Sequence, residues 1–321
     1  MKIRETDLQK IDISEHTRDY LKVYTANHLY FASVYSQLMQ KAVNKLNKPV
    51  NECTFIDYGG GCGILSLIAK EAGFKTIVYN DIYEKSVIDA AIISKTMDLE
   101  ADHYFSGDID ELINKLKRVN LHPDLICSFD VLEHIHDHDE WLRSLSVLDS
   151  FSLLFMSGAN PDNPFIVRKL KKFHKIAEYQ GCNKNIRIGD DFLNTSFLKQ
   201  RELIIREKFP DLSLKDLFLL AKETRGLKIN DIEKIVNNYI NTGTLNYKMP
   251  HSTNTCDPYT GSWVEKLIDL KQIRSLSDEL NMNCNITNSF YSYSGKIFPD
   301  IIKLDRKSTR LNSSHPIRYR M

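Results

Sequence analysis

Apolar positions follow two rhythms along this chain. Between residues 53 and 157 short apolar runs alternate with segments of helical spacing. The runs at 53–58, 76–80, 103–106, 124–129 and 151–157 are short and continuous, as expected of strands covered on both faces. The segments at 64–72, 84–97, 109–118 and 138–148 carry apolar residues every three or four positions, as helices do. Strands alternating with helices predict an α/β fold, a doubly wound and mostly parallel sheet with helices on both faces.

The flanks read differently. Residues 1–25 look irregular and polar. His28 to Leu46 has helical spacing and is stopped by Pro49. From 161 to 243 four helices follow one another with no convincing strand. The first has Asn163, Pro164 and Gly181 as cap, first residue and terminator. The second runs from near Thr195 to Pro210. The third opens at Ser213, with Asp216 three residues on, and closes at Gly226. The fourth opens at Asn230 with Glu233 and closes at Gly243. This predicts a helical insertion after the fifth strand. Two more helices are expected in 262–280, one from Ser262 with Glu265 and one from Asp269 with Gln272. Asn283 to Tyr293 alternates like a sixth strand.

The expected organisation is a helical extension at 1–50, a core at 51–160, the insertion at 161–250 on the acceptor side as a lid, and a return to the sheet at 251–305. Arg306 to Met321 resembles translated adapter sequence and is set aside. A truncated natural C-terminus, with a final antiparallel strand missing from the sheet, is the expectation.

Composition narrows the field. The net charge of +1 provides no global attraction to nucleic acid or membrane. Six cysteines form no C-x-x-C pair, which suits buried thiols in a reducing compartment. The first residues carry no signal-peptide pattern and no run is long enough to span a bilayer. A cytoplasmic protein with a small-molecule partner is expected, with neither nucleic acid nor membrane as partner; oligomeric state is open.

The chemistry concentrates at the strand ends. FIDYGGGCGILSLIAKEAG, Phe55 to Gly73, is strand, glycine turn and helix. Its glycines let main chain approach a ligand closely, and the helix opening offers N–H groups. TIVYND follows and ends in Asp81, where an acid can hold both ribose hydroxyls. The dinucleotide spacing G-x-G-x-x-G would place its third glycine at Ile64, a bulky residue. The spacing is instead Asp57-x-Gly59-x-Gly61-x-Gly63. This resembles the first motif of the class I S-adenosylmethionine-dependent methyltransferases. DLICSFDVLEHIHD, Asp124 to Asp137, resembles their fourth motif in the small-molecule, quinone-biosynthesis type, through Asp130-Val131-Leu132-Glu133-His134-Ile135. The resemblance spans roughly residues 53–157.

The resemblance implies a Rossmann-like core and S-adenosyl-L-methionine as cofactor. Asp57, Gly59, Gly61 and Gly63 would hold the methionine end and Asp81 the ribose. Ile82 would lie against adenine, Asp108 would meet its amino group, and Asp130 would complete the site. Asp108 could equally cap the helix at 109–118. His134 is a candidate general base. Some members carry E-x-x-E-H here and bind a divalent cation, so Asp130, Glu133 and His134 form a weaker metal candidate. His251 to Leu267 mixes polar and aromatic groups in a loop. It offers His251 as a second catalytic candidate, and Tyr259 and Trp263 beside Glu133 as acceptor-side residues. The expected activity is methyl transfer to a small-molecule or glycan-type acceptor. Alternatives are an NAD-dependent oxidoreductase and a non-catalytic nucleoside-binding module.

Overall fold

The computed structural model describes residues 10–188 and 191–287. Five strands, β1 (Thr54–Tyr58), β2 (Thr76–Asp81), β3 (His103–Ser106), β4 (Leu125–Phe129) and β5 (Ser152–Met156), form one sheet in the order β3-β2-β1-β4-β5. Every pairing is parallel; Phe55 stands opposite Ile77 on one side and Leu125 on the other. All of β1 is buried, because helices cover both faces. The order reverses between β1 and β4, and a ligand crevice forms at the carboxyl ends of strands at such a switch point.

Helices α3 (Ile64–Glu71), α4 (Glu84–Thr96), α5 (Ile109–Arg118) and α6 (His138–Leu145) fill the intervals between strands as predicted. Their buried stripes, such as Ile109, Leu112, Ile113 and Leu116 on α5, join the core. Helix α2 (His28–Val43) sets Val34, Leu38 and Ala42 into the same core as Phe55 and Ile77.

Residues before 26 are not wholly irregular. Helix α1 (Glu15–Ala26) is capped by Ser14. Only Thr17 and Leu21 of α1 are buried, too narrow a stripe to show as periodicity. Its start is pinned instead by polar contacts. Asp89 on α4 accepts from the Ser14 N–H at 3.1 Å and the Thr17 hydroxyl at 2.6 Å.

The chain divides into two compact units. One takes in the chain through Leu132, Asp137–Gly158 and the chain from Asp269 on; the other is Glu133–His136 with Ala159–Ile268. The second unit holds α7 (Pro164–Lys175), a π-helical turn (Ile176–Gln180), strands β6 (Asn183–Ile188) and β7 (Asp191–Leu193), and helices α8 (Phe197–Lys208), α9 (Leu214–Glu223) and α10 (Ile229–Thr242). Helix α11 (Leu270–Glu279), capped by Asp269, belongs to the first.

Three expectations need correction here. The antiparallel pair β6–β7 interrupts the helical run. Its strands are short, and the alternation in NKNIRI is too brief to stand out between helices. Helix α10 starts at Ile229 after Lys228, not at an Asn230 cap. No helix starts at Ser262. Cys256 and Trp263 pair antiparallel, and the Val264 N–H donates to the Thr255 carbonyl at 3.1 Å, so the backbone groups a helix needs are already used. The sixth strand expected at Asn283–Tyr293 falls mainly outside the described residues. The 306–321 tail and any final strand lie wholly outside them.

Candidate cofactor and catalytic site

Six residues after the end of β1 the chain has made a tight bend and started α3. Gly59, Gly61 and Gly63 have φ of 67°, 52° and 75°, the left-handed region that favours glycine. A Cβ on Gly59 would lie 2.5 Å from Val131, and one on Gly60 would lie 2.5 Å from the Tyr79 ring. At Gly61 a Cβ would meet nothing within 4 Å, so bare main chain faces open space there.

The bend is tied down from three sides. Asp81 accepts from the Gly61 N–H at 2.9 Å and, through its other oxygen, from the Tyr83 N–H at 3.0 Å. The Tyr79 hydroxyl donates to the Gly61 carbonyl at 2.6 Å. Asp57 accepts from the N–H and hydroxyl of Ser66 at 2.9 and 2.8 Å. The N–H groups of Gly60 and Gly63 also have partners, the carbonyls of Asn80 and Gly60. The expectation of donors at the helix opening is therefore corrected for the N–H groups of Gly60, Gly61, Gly63 and Ser66, which protein acceptors already use. Gly61 presents main-chain surface instead.

Asp57 is 1% exposed, and its carboxyl organises the bend from inside. Burial raises its pKa to about 7; the Ser66 hydrogen bonds oppose that rise and nearby Asp81 adds to it. Asp81 stands directly beneath Gly61 at the tip of β2. Ile82 follows it, 63% exposed, an apolar surface at the strand tip. Asp108 is the N-cap of α5 and forms a capping box with Glu111. The helix-cap alternative describes its carboxylate as it stands.

Across the switch point, Asp130 follows β4 with φ of 54°, an uncommon conformation for a residue with a side chain. Its carboxylate accepts from the Gly158 N–H at 2.8 Å, and its own N–H donates to the Met156 carbonyl at 2.8 Å. The loops after β4 and β5 are thus fastened together. Val131 then packs on Gly59. The residues fit a nucleoside cofactor: a carboxylate at the β2 tip, an exposed apolar neighbour, and a glycine bend open at Gly61.

Sequence reasoning missed several supports. Tyr79 forms the floor of the bend. It precedes Asp81 by two positions, so the two side chains leave the strand on one side. Ser66 holds Asp57. An aromatic cluster from α1 and α2 also adjoins this edge. The Tyr35 ring lies tilted, 4.8 Å from that of Phe129, the residue before Asp130, and its hydroxyl donates to that of Tyr24 at 3.3 Å. Burial and nearby Asp130 push the Tyr30 hydroxyl up to about 12.

In the second unit, the ring nitrogens distinguish the two candidate bases. His134 Nδ1 lies 2.8 Å from the Trp263 carbonyl, which can only accept, so the proton of the neutral ring sits on Nδ1 and Nε2 carries the lone pair. His251 is the reverse. Its Nδ1 accepts from the N–H groups of Thr253 and Asn254 at 3.1 and 3.0 Å. Burial, with the positive groups His174, Lys171, Arg225 and Lys266 nearby, lowers its pKa to about 4. The neutral ring therefore keeps its proton on Nε2 and has no lone pair there. This removes His251 as a base acting through Nε2.

Glu133 is fully buried. Trp263 is buried under the His136 ring, stacked at 5.4 Å, with the Lys266 ammonium 4.7 Å away. Tyr259, beside the turn held by Asp257, is the exposed member of the acceptor-side set. Among the described residues no three His, Cys, Asp or Glu side chains gather as metal ligands. Asp130 is engaged with Gly158 and His134 with Trp263.

A family model described as "Methyltransferase domain" matches residues 28–150. That match covers the glycine bend and the strand tips at Asp81 and Asp130, so residues 28–150 form a methyltransferase domain. No curated protein matches the chain. Similar solved structures include magnesium protoporphyrin IX methyltransferase from Synechocystis PCC 6803 with bound SAH, at 14% identity and TM-score 0.40, covering 94% of this chain and 87% of that one. Another is an S-adenosylmethionine-dependent methyltransferase from Mesorhizobium loti, at 11% identity and TM-score 0.41, covering 88% and 98%. No helix among the described residues is long and apolar enough to cross a membrane.

Proposed function

We propose that the chain transfers the methyl group of S-adenosylmethionine to a small-molecule or glycan-type acceptor. The observation that carries this reading is Asp81 bonded to Gly61 N–H at 2.9 Å beneath a bend open at that glycine. Asp81 would hold the ribose, Ile82 would cover the adenine, and main chain at Gly61 would border the methionine end. Asp57 acts behind the bend, keeping its curvature through Ser66. Asp130 fixes the loop that follows β4.

The bound sulfonium supplies an electrophilic methyl carbon for in-line displacement. The chain's own residues bind, orient and exclude water. An acceptor hydroxyl also benefits from a base. His134, four residues after Asp130, is that candidate, with Nδ1–H spent on a carbonyl and Nε2 basic.

The test uses S-adenosylmethionine labelled in the methyl group and fractions of a small-molecule extract. Label should move to a discrete product with wild-type protein and not with Asp81→Ala. Label moving only to protein or nucleic acid would overturn the small-molecule reading.

A further inference from the structure

Helix α7 carries Arg168, Lys169, Lys171, Lys172 and Lys175, and no Asp or Glu occurs from 163 to 177. The chain's net charge of +1 conceals this concentration. None of the five is in an ion pair among the described residues. Unneutralised like charges on one helix cost stability through mutual repulsion, which an external anion would relieve. Leu170 and His174 face inward, so the opposite side of the helix is the charged one.

That outer side is not purely polar. Phe165 is 55% exposed at its start and Tyr179, in the π-helical turn that continues it, is 53% exposed. Positions 165, 168, 172, 175 and 179 follow one another at intervals of three and four, a single stripe with aromatic ends and cations between. Pro164, Val167 and the stems of Arg168, Lys171, Lys172 and Lys175 line a shallow groove of about 460 Å³. An apolar floor under a cationic rim matches an anionic amphiphile: phosphate at the rim, hydrocarbon and glycerol against the stems.

We propose that this face of α7 docks on an anionic lipid surface. A nucleic acid is less well matched. The stripe offers no Asn, Gln, Ser or Thr to read bases, and its two aromatics stand at opposite ends rather than adjacent for stacking. A bilayer accepts both aromatics at its interface while phosphates meet the cations between them. The face would bring the protein to the membrane surface without insertion of a spanning helix.

Co-sedimentation of the full chain with vesicles provides the test. Binding should occur to an equal mixture of phosphatidylcholine and phosphatidylglycerol, weaken with salt, and be absent with phosphatidylcholine alone. Each of Arg168→Glu, Lys172→Glu and Lys175→Glu should weaken binding about five-fold or more. Phe165→Ser should weaken it with little change in the salt dependence. These positions are exposed, so melting temperature and S-adenosylmethionine binding should hold in all four variants, which separates loss of docking from loss of fold. Equal sedimentation with neutral vesicles, or full binding by the triple charge reversal, would overturn the proposal. So would RNA binding as tight as vesicle binding and indifferent to Phe165→Ser, which assigns the face to a polyanion instead.

Discussion

Asp81 and Gly61 are twenty positions apart in the chain, and the carboxylate of one holds the N–H of the other at 2.9 Å. One acid therefore shapes the bend and marks the ribose position. Asp81→Ala should weaken S-adenosylmethionine binding by about 1–3 kcal/mol, the loss expected for hydrogen bonds to a charged group. Asp81→Asn, which keeps an acceptor for Gly61, should bind more tightly than the alanine variant. Titration calorimetry reads both. Wild-type affinity in Asp81→Ala would remove the residue from the site.

Neighbouring glycines should respond oppositely to alanine. At Gly60 the added Cβ would stand 2.5 Å from Tyr79 and 2.9 Å from the Asp57 carboxyl carbon, so the bend or its floor must move. That substitution should lower the melting temperature clearly. At Gly61 the methyl enters open space, and the cost to folding is the left-handed backbone alone, about 1–2 kcal/mol. Gly61→Ala should instead lose cofactor affinity out of proportion to stability. The contrast fails if both variants lose stability and affinity in the same ratio.

The Asp57 pKa of about 7 lies above the ordinary carboxyl value of 3.8 because burial disfavours the charged form. Between those values the folded state binds more protons at this site than the unfolded state does. Its contribution to stability is therefore full below about 4 and is lost as pH rises through about 7. Asp57→Asn keeps an acceptor for Ser66 and does not titrate. Relative to wild type it should gain stability as pH rises across this window, measured by urea unfolding without cofactor. A constant difference between the two proteins would mean that Asp57 titrates normally.

The sheet was legible because β1, β2, β4 and β5 are nearly continuous apolar runs separated by helical spacing. Gly59, Gly61 and Gly63 were legible because backbone curvature demands that residue type. The second unit was harder for a physical reason. Short pairs such as β6–β7, and the Cys256–Trp263 pairing, depend on contacts distant in sequence and leave only a few positions of alternation. Ser262 and Asp269 both look like helix caps, yet only Asp269 caps one. Tyr79 and Ser66 were missed because a tyrosine in a strand and a serine in a helix look like ordinary core and cap residues. Their roles exist only once β2 and α3 converge on one bend.

The second unit is organised around a buried ion pair. Arg201 on α8 is fully buried and meets Glu178 of the π-helical turn at 2.5 and 3.3 Å. The pair reaches further, as Arg201 donates to the Ala221 carbonyl on α9 and Thr255 donates to Glu178, at 2.7 Å each. Truncating one partner leaves a buried charge, so Arg201→Ala should cost about 3–5 kcal/mol. Arg201→Met combined with Glu178→Gln should cost less than the sum of the single changes, because neither partner is then left charged. Urea unfolding of the three variants measures the coupling. Strict additivity would show that the two side chains act independently.

His134 and His251 should separate in a single pair of experiments. The His251 pKa of about 4 lies below the ordinary value of 6.5, so its contribution to stability is present above about 6.5 and lost as pH falls through about 4. His251→Asn keeps an acceptor for the Thr253 and Asn254 N–H groups without titrating, and should flatten that acid limb. His251→Ala should cost about 0.5–2 kcal/mol at neutral pH, as loss of a cap does. Neither change should reduce methyl transfer once cofactor and acceptor saturate, because His251 Nε2 keeps its proton in the neutral ring. His134→Asn removes the basic Nε2 and should lower kcat about 10²–10⁴-fold while S-adenosylmethionine affinity is unchanged. The assay is turnover with the acceptor identified from extract, followed from pH 5 to 9 at roughly unit steps across the usual histidine range. A collapse of kcat in His251→Asn with full activity in His134→Asn would reverse the assignment, and full activity in both would mean that the acceptor needs no histidine base.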